Sequence, residues 1–155
     1  MDNKKKQAIF VSPAYCNSGY SVHSRMIARA LDTYNDEFDV TLKATIWGNT
    51  PFMLGDFEEK SILDKMNSNN QYNIQKFDYG FHLILPDEFN FEFAKYNVGI
   101  TAGVETTVCN PAWVDACNKT NHMIVPSRHV LQTLQNSGNL TVHTDVIPEI
   151  FPSYL

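Results

Sequence analysis

The residues able to do chemistry in this sequence sit in a few short stretches. Asn17-Ser18-Gly19-Tyr20 joins an apolar run to an amphipathic one. At such a junction the backbone N–H groups of a starting helix can face an anion or a sugar hydroxyl. His23 follows within the first helical turn, either as a catalytic imidazole or as a surface or helix-capping histidine. Gly19 equally suits a tight turn. Glu105-Thr106-Thr107 comes directly after another apolar run. A carboxylate there could accept bonds from hydroxyls or act as a base; the plainer readings are a solvated loop carboxylate or a helix cap. Ser127 follows a third run and can cap a helix or meet a ligand. Cys16 has no base that spacing pairs with it, so it reads as a plain thiol.

Other chemistries find no support. Gly19 stands alone, without the further glycines of a P-loop or a dinucleotide fingerprint. His82, His122, His129 and His143 are scattered, and Cys109 and Cys117 form no CxxC, so no metal site is expected. Three cysteines are too few for a disulfide framework. With 12 Lys and Arg against 17 Asp and Glu, the net charge of −5 argues against nucleic acid as a partner. The run Ala8 to Val11 after Lys4-Lys5-Lys6 is too short for a signal-peptide core. No stretch approaches the ~20 apolar residues that a membrane span requires. The expectation is a cytoplasmic protein without a transmembrane segment.

The elements that would position these residues alternate. Gln7 to Ser12 reads as a buried strand. Val22, Met26, Ile27, Ala30, Leu31 and Tyr34 predict a helix with those residues inward and Arg25, Arg29 and Asp32 outward. Phe38 to Trp47 reads as a second strand. Asp56 with Glu59 resembles a capping box for a helix carrying Ile62, Leu63 and Met66, which the polar stretch Asn67 to Asn73 ends. Phe81 to Leu85 and Val98 to Ala102 are further strands, joined by an aromatic connection (Phe89, Phe91, Phe93, Tyr96) that suits packing on a sheet. Asn110-Pro111 starts a helix, Met123 to Val125 is a strand, Ser127 caps a helix that Ser137-Gly138 ends, and Val142 to Ile147 closes the series. Strand and helix in alternation predict one α/β domain over residues 1–155, a doubly wound, mainly parallel, Rossmann-like sheet with helices on both faces. Ligands then sit beyond the carboxyl ends of the strands. That selects residues 13–20, 47–50, 86–88, 103–107 and 126–127.

The order of motifs resembles the N-terminal domain of family 4 glycosyltransferases. Pro13-Ala14-Tyr15 with Ser18-Gly19-Tyr20 precedes a helix; Gly99 to Thr107 carries an "ET" segment; Pro111, Trp113-Val114 and Asn118 follow; then comes Ile124-Val125-Pro126-Ser127. Val146-Ile147-Pro148-Glu149 is similar to the segment where such chains leave the first domain. The resemblance implies one half of a GT-B enzyme, with acceptor on this domain and nucleotide-sugar donor mainly on a second one. It implies a retaining transfer with no cofactor and no metal, and the DxD triplet of metal-dependent transferases is missing. In this resemblance Glu105 is the candidate catalytic residue, and Ser18, Gly19, Tyr20, His23, Thr106, Thr107 and Ser127 bind substrate. The family's pair of glutamates eight positions apart, which belongs to the donor domain, has no counterpart here. The expectation is an acceptor-side half whose C-terminal donor domain is absent, inactive by itself. The alternative is a non-catalytic Rossmann-like binding or interaction module.

Overall fold

A computed structural model describes residues 4–47, 49, 51–53, 55–69, 76–103 and 105–149. Gly48, Thr50 and Val104, with the end of the polar stretch at Asn70 to Asn73, lie outside the described residues. The elements are β1 (Lys6–Ser12), α1 (Gly19–Thr33), β2 (Phe38–Ala44), α2 (Lys60–Ser68), β3 (Phe77–Leu83), β4 (Ala94–Ile100), α3 (Pro111–Cys117), β5 (His122–Val125), α4 (Arg128–Ser137) and β6 (Thr144–Val146). A short 3-10 turn, Pro86–Glu88, lies between β3 and β4.

All six strands are parallel, in the order β2-β1-β3-β4-β5-β6. The order reverses between β1 and β3, so the loops leaving these two strands diverge and open a crevice at the carboxyl edge. β1 is central and buried on both sides, which is why Ala8-Ile9-Phe10-Val11 is an unbroken apolar run rather than an alternating one. Ala8 and Phe10 meet Val40, Leu42, Leu83 and Ile100 on one face, under Ala28 and Leu31 of α1 and Leu63 and Met66 of α2. Ile9 and Val11 belong to the other face with Met123 and Val125, under Val114 of α3 and Val130 and Leu134 of α4. Each fully buried Ile, Leu or Phe contributes ~1.5–3 kcal/mol relative to exposure.

Several local expectations need correction. In α1 the buried residues are Ser21, His23, Ser24, Arg25, Ala28 and Leu31, whereas Val22 and Tyr34 are exposed. The helix turns its small polar side to the sheet: the Ser24 hydroxyl donates back to the Tyr20 carbonyl at 2.7 Å, and the Arg25 guanidinium reaches under the preceding loop. Met26 and Ala30 instead line an open groove of about 410 Å³ with Ile124 and Ile147, while Ile27 both borders it and packs against the core as expected. The Asp56–Glu59 capping box is not formed, since Glu59 is itself the N-cap residue, without a side-chain cap bond. Its carboxylate lies 3.1 Å from Arg29 Nε and 3.8 Å from Arg25 Nε, and those cations hold it. β2 ends at Ala44 rather than Trp47, and β3 and β4 each begin four residues earlier than the apolar runs suggest. Asp78 explains part of this: its Oδ2 accepts the Gln7 N–H at 3.0 Å, so a polar residue serves the amino end of the sheet. Phe89 packs on the sheet as expected, against His82 and beneath a glycine, Gly99, where a Cβ would lie 2.8 Å from its ring.

Candidate functional site

The loop after β1 is a built structure. Arg25 Nη1 donates to the carbonyls of Ala14 at 3.0 Å and Cys16 at 3.3 Å. Cys16 forms an antiparallel bridge with Phe52, and the Met53 N–H donates to Tyr15 O at 2.8 Å. Burial lowers the Arg25 pKa, which Glu59 opposes, but a guanidinium that starts so far above neutrality keeps its charge. Cys16 is fully buried, in agreement with the plain-thiol reading.

Ser18 is the N-cap of α1; its Oγ accepts the Ser21 N–H at 3.2 Å and lies 2.7 Å from the Ser21 hydroxyl. The first internal bonds of α1 come from Ser21 and Val22, so the amides of Gly19 and Tyr20 precede them at the helix start. Gly19 is exposed, and a Cβ there would meet nothing within 4 Å. The backbone at Gly19 is therefore open to an approaching group, and no steric need fixes a glycine there.

Tyr20 reaches over the crevice. Its hydroxyl lies 2.9 Å from Thr101 Oγ1 and accepts the Ala102 N–H at 3.1 Å, while the Gly103 N–H donates to Thr101 Oγ1 at 3.3 Å. Burial raises the phenol above its ordinary pKa, with Glu88 adding to the rise and the bonds to Thr101 and Ala102 opposing it. Tyr20 is thus a neutral phenol that ties α1 to the end of β4. Its ring meets Trp47 edge-on at 4.8 Å. The indole N–H of Trp47 donates to Glu88 Oε2 at 3.1 Å, and the same oxygen accepts the Leu85 N–H at 3.3 Å. Trp47 and Glu88 also line an open cleft of about 320 Å³, with Lys43, Thr45 and Asn90. An indole face beside a carboxylate and an amide suits a polyhydroxylated ligand, whose C–H face packs on the ring while its hydroxyls donate to the oxygens.

The remaining expected residues divide between two neighbouring places. Thr106 and Thr107 lie against α4, where their carbonyls accept from Thr133 Oγ1 at 2.9 Å and Asn136 Nδ2 at 3.3 Å. Ser127 caps α4, its Oγ accepting the Val130 N–H at 3.2 Å. Glu105 is exposed, and α3 is capped by Asn110, so Glu105 is no helix cap. Gly103 has φ +68°, and a Cβ there would lie 2.8 Å from Val130 Cγ1. His23 is neither a surface group nor a cap. It is buried, with Nδ1 3.1 Å from Glu149 Oε1 but off the hydrogen-bond direction. Burial lowers its pKa and Glu149 acts against that shift.

Trp47, Glu88, Thr101 and Arg25 were not singled out by sequence. The first two fall within the post-strand segments, and Thr101 lies near the end of the run preceding Gly103, so position alone was the available signal. Nor are all the histidines scattered: His122, the first residue of β5, and His143, just before β6, come together with ring centroids 5.0 Å apart. No family model, curated protein or solved structure matches the chain. Among the described residues, no helix is long and apolar enough to cross a membrane.

Proposed function

We propose that the chain is the acceptor-side half of a GT-B glycosyltransferase, which transfers a sugar from a nucleotide-sugar to a hydroxyl-bearing acceptor once a donor domain faces it. The observation that carries this reading is the Tyr20–Trp47–Glu88–Thr101 constellation at the reversal of strand order, beside a cleft of about 320 Å³. In this reading the acceptor packs on Trp47 and donates hydroxyls to Glu88. The amides of Gly19 and Tyr20 face the donor phosphate or the acceptor, and Glu105 orients the reacting hydroxyl from the segment after β4. The order of motifs from Gly99 to Ser127 supports the same assignment. A non-catalytic binding module is the second reading, favoured by the engagement of the Ser18 and Ser127 hydroxyls in helix capping.

The gene product should be incubated with UDP-, GDP- and ADP-sugars and hydroxyl acceptors, and transfer read by mass spectrometry. Transfer that Glu105→Gln abolishes without lowering the melting temperature supports the assignment. Absence of both transfer and donor hydrolysis across the panel, in protein that carries a donor domain, favours the binding module.

A further inference from the structure

Parallel pairing places Ile124 of β5 beside Asp145 of β6, and the His143 carbonyl accepts the Met123 N–H at 2.9 Å. Residues two apart on a strand share a face. His122, His143 and Asp145 therefore project from the same side of the sheet, although 21 positions separate the two histidines in sequence. His122 Nε2 lies 3.0 Å from Asp145 Oδ2, and His143 Nε2 lies 3.5 Å from Asp145 Oδ1. One ligand atom from each residue falls within 4.8 Å of the others.

We propose that His122, His143 and Asp145 form a binding site for a divalent transition-metal ion of the zinc class. Two ligands at ~2.0–2.1 Å on a tetrahedral ion stand ~3.3–3.4 Å apart. The His122 and His143 nitrogens stand 3.0 and 3.5 Å from the two different oxygens of Asp145, close to that spacing. His143 is 73% exposed, so its ring can swing to close the remaining gap without disturbing the core. Two imidazoles and one carboxylate suit zinc, nickel or copper better than magnesium or calcium. Three protein ligands at a solvent-facing position leave a fourth for water. The bound ion would join β6, an edge strand of three residues, to β5 through side chains as well as backbone. It would act as a clamp at the amino-terminal part of these strands, away from the carboxyl-edge crevice.

The test uses untagged protein stripped with a chelator and titrated with zinc by calorimetry at neutral pH, with cobalt absorption reporting the ligand geometry. One equivalent of zinc should bind and raise the melting temperature, because an ion that binds only the folded state stabilises it. His143→Ala and Asp145→Asn should each weaken zinc by more than the ~10–100-fold that loss of an outer-shell partner costs. His129→Ala, an exposed histidine outside the cluster, should leave the affinity unchanged. Zinc binding equally tight in His143→Ala and the parent, or no zinc-dependent rise in melting temperature, overturns the site.

Discussion

His82 and His23 are imidazoles closed away from water in different surroundings. His82 is fully buried, its Nε2 3.0 Å from Asn97 Oδ1, and His23 faces Glu149. Burial lowers both pKa values from the ordinary 6.5; Asn97 opposes the shift at His82 and Glu149 at His23. As pH falls through ~6.5 the unfolded chain therefore takes up protons that the folded chain refuses. Stability from these groups is complete above that range and is lost as pH falls through it. The urea midpoint should drop between about pH 7.5 and 5.5, and the slope against pH should be shallower in His23→Gln and His82→Gln. Equal slopes in the parent and both variants would contradict this account. Sequence located His23 but not its burial, because helical periodicity counted apolar residues and α1 turns Ser21, Ser24 and Arg25 inward.

At the scale of elements, caps and apolar runs were legible because they depend on near neighbours. Asn110 with Pro111 starts α3 and Ser127 starts α4, both with the side-chain bonds their types imply. Asp56–Glu59 has similar spacing but no cap bond, since Arg29 and Arg25 engage Glu59 from another helix. That is a tertiary effect without a local signal. Ser127→Ala should cost about 0.5–2 kcal/mol of stability through the lost cap. If it instead abolishes ligand binding at unchanged stability, the hydroxyl serves a substrate. Gly103→Ala should cost about 1–3 kcal/mol, because the left-handed backbone and the 2.8 Å approach to Val130 act together. Urea denaturation of the two variants measures both effects. A Gly103→Ala chain as stable as the parent would mean that the turn relaxes freely.

For the whole molecule, alternation of strands and helices was enough to predict a parallel doubly wound sheet, and the structure has one. Which strand neighbours which was not legible, because lateral order is fixed by packing across the sheet. The crevice therefore appeared in sequence only as separate post-strand segments, and the pairing of His122 with His143 did not appear at all. The same topology bears on what the 155-residue polypeptide can do by itself. In the proposed function its sheet edge supplies one wall of the cleft: Tyr20 and Trp47, the Glu88 carboxylate, and the helix start at Gly19. The Ser18 and Ser127 hydroxyls are already engaged in capping. A nucleotide-sugar carries a base, a ribose, a pyrophosphate and a sugar, and among the described residues lining the Trp47 cleft Lys43 is the one cation that could meet a pyrophosphate. Transfer further requires donor and acceptor held face to face, a positioning that supplies up to ~7–11 kcal/mol of the barrier reduction. The isolated polypeptide should therefore fold, bind acceptor-like glycans weakly through the Trp47 cleft, and show neither micromolar donor affinity nor turnover. Titration calorimetry with UDP-, GDP- and ADP-sugars, followed by assays for transfer and donor hydrolysis, measures this directly. Micromolar donor binding accompanied by turnover would mean that one wall suffices, and the two-domain reading of the crevice would fail.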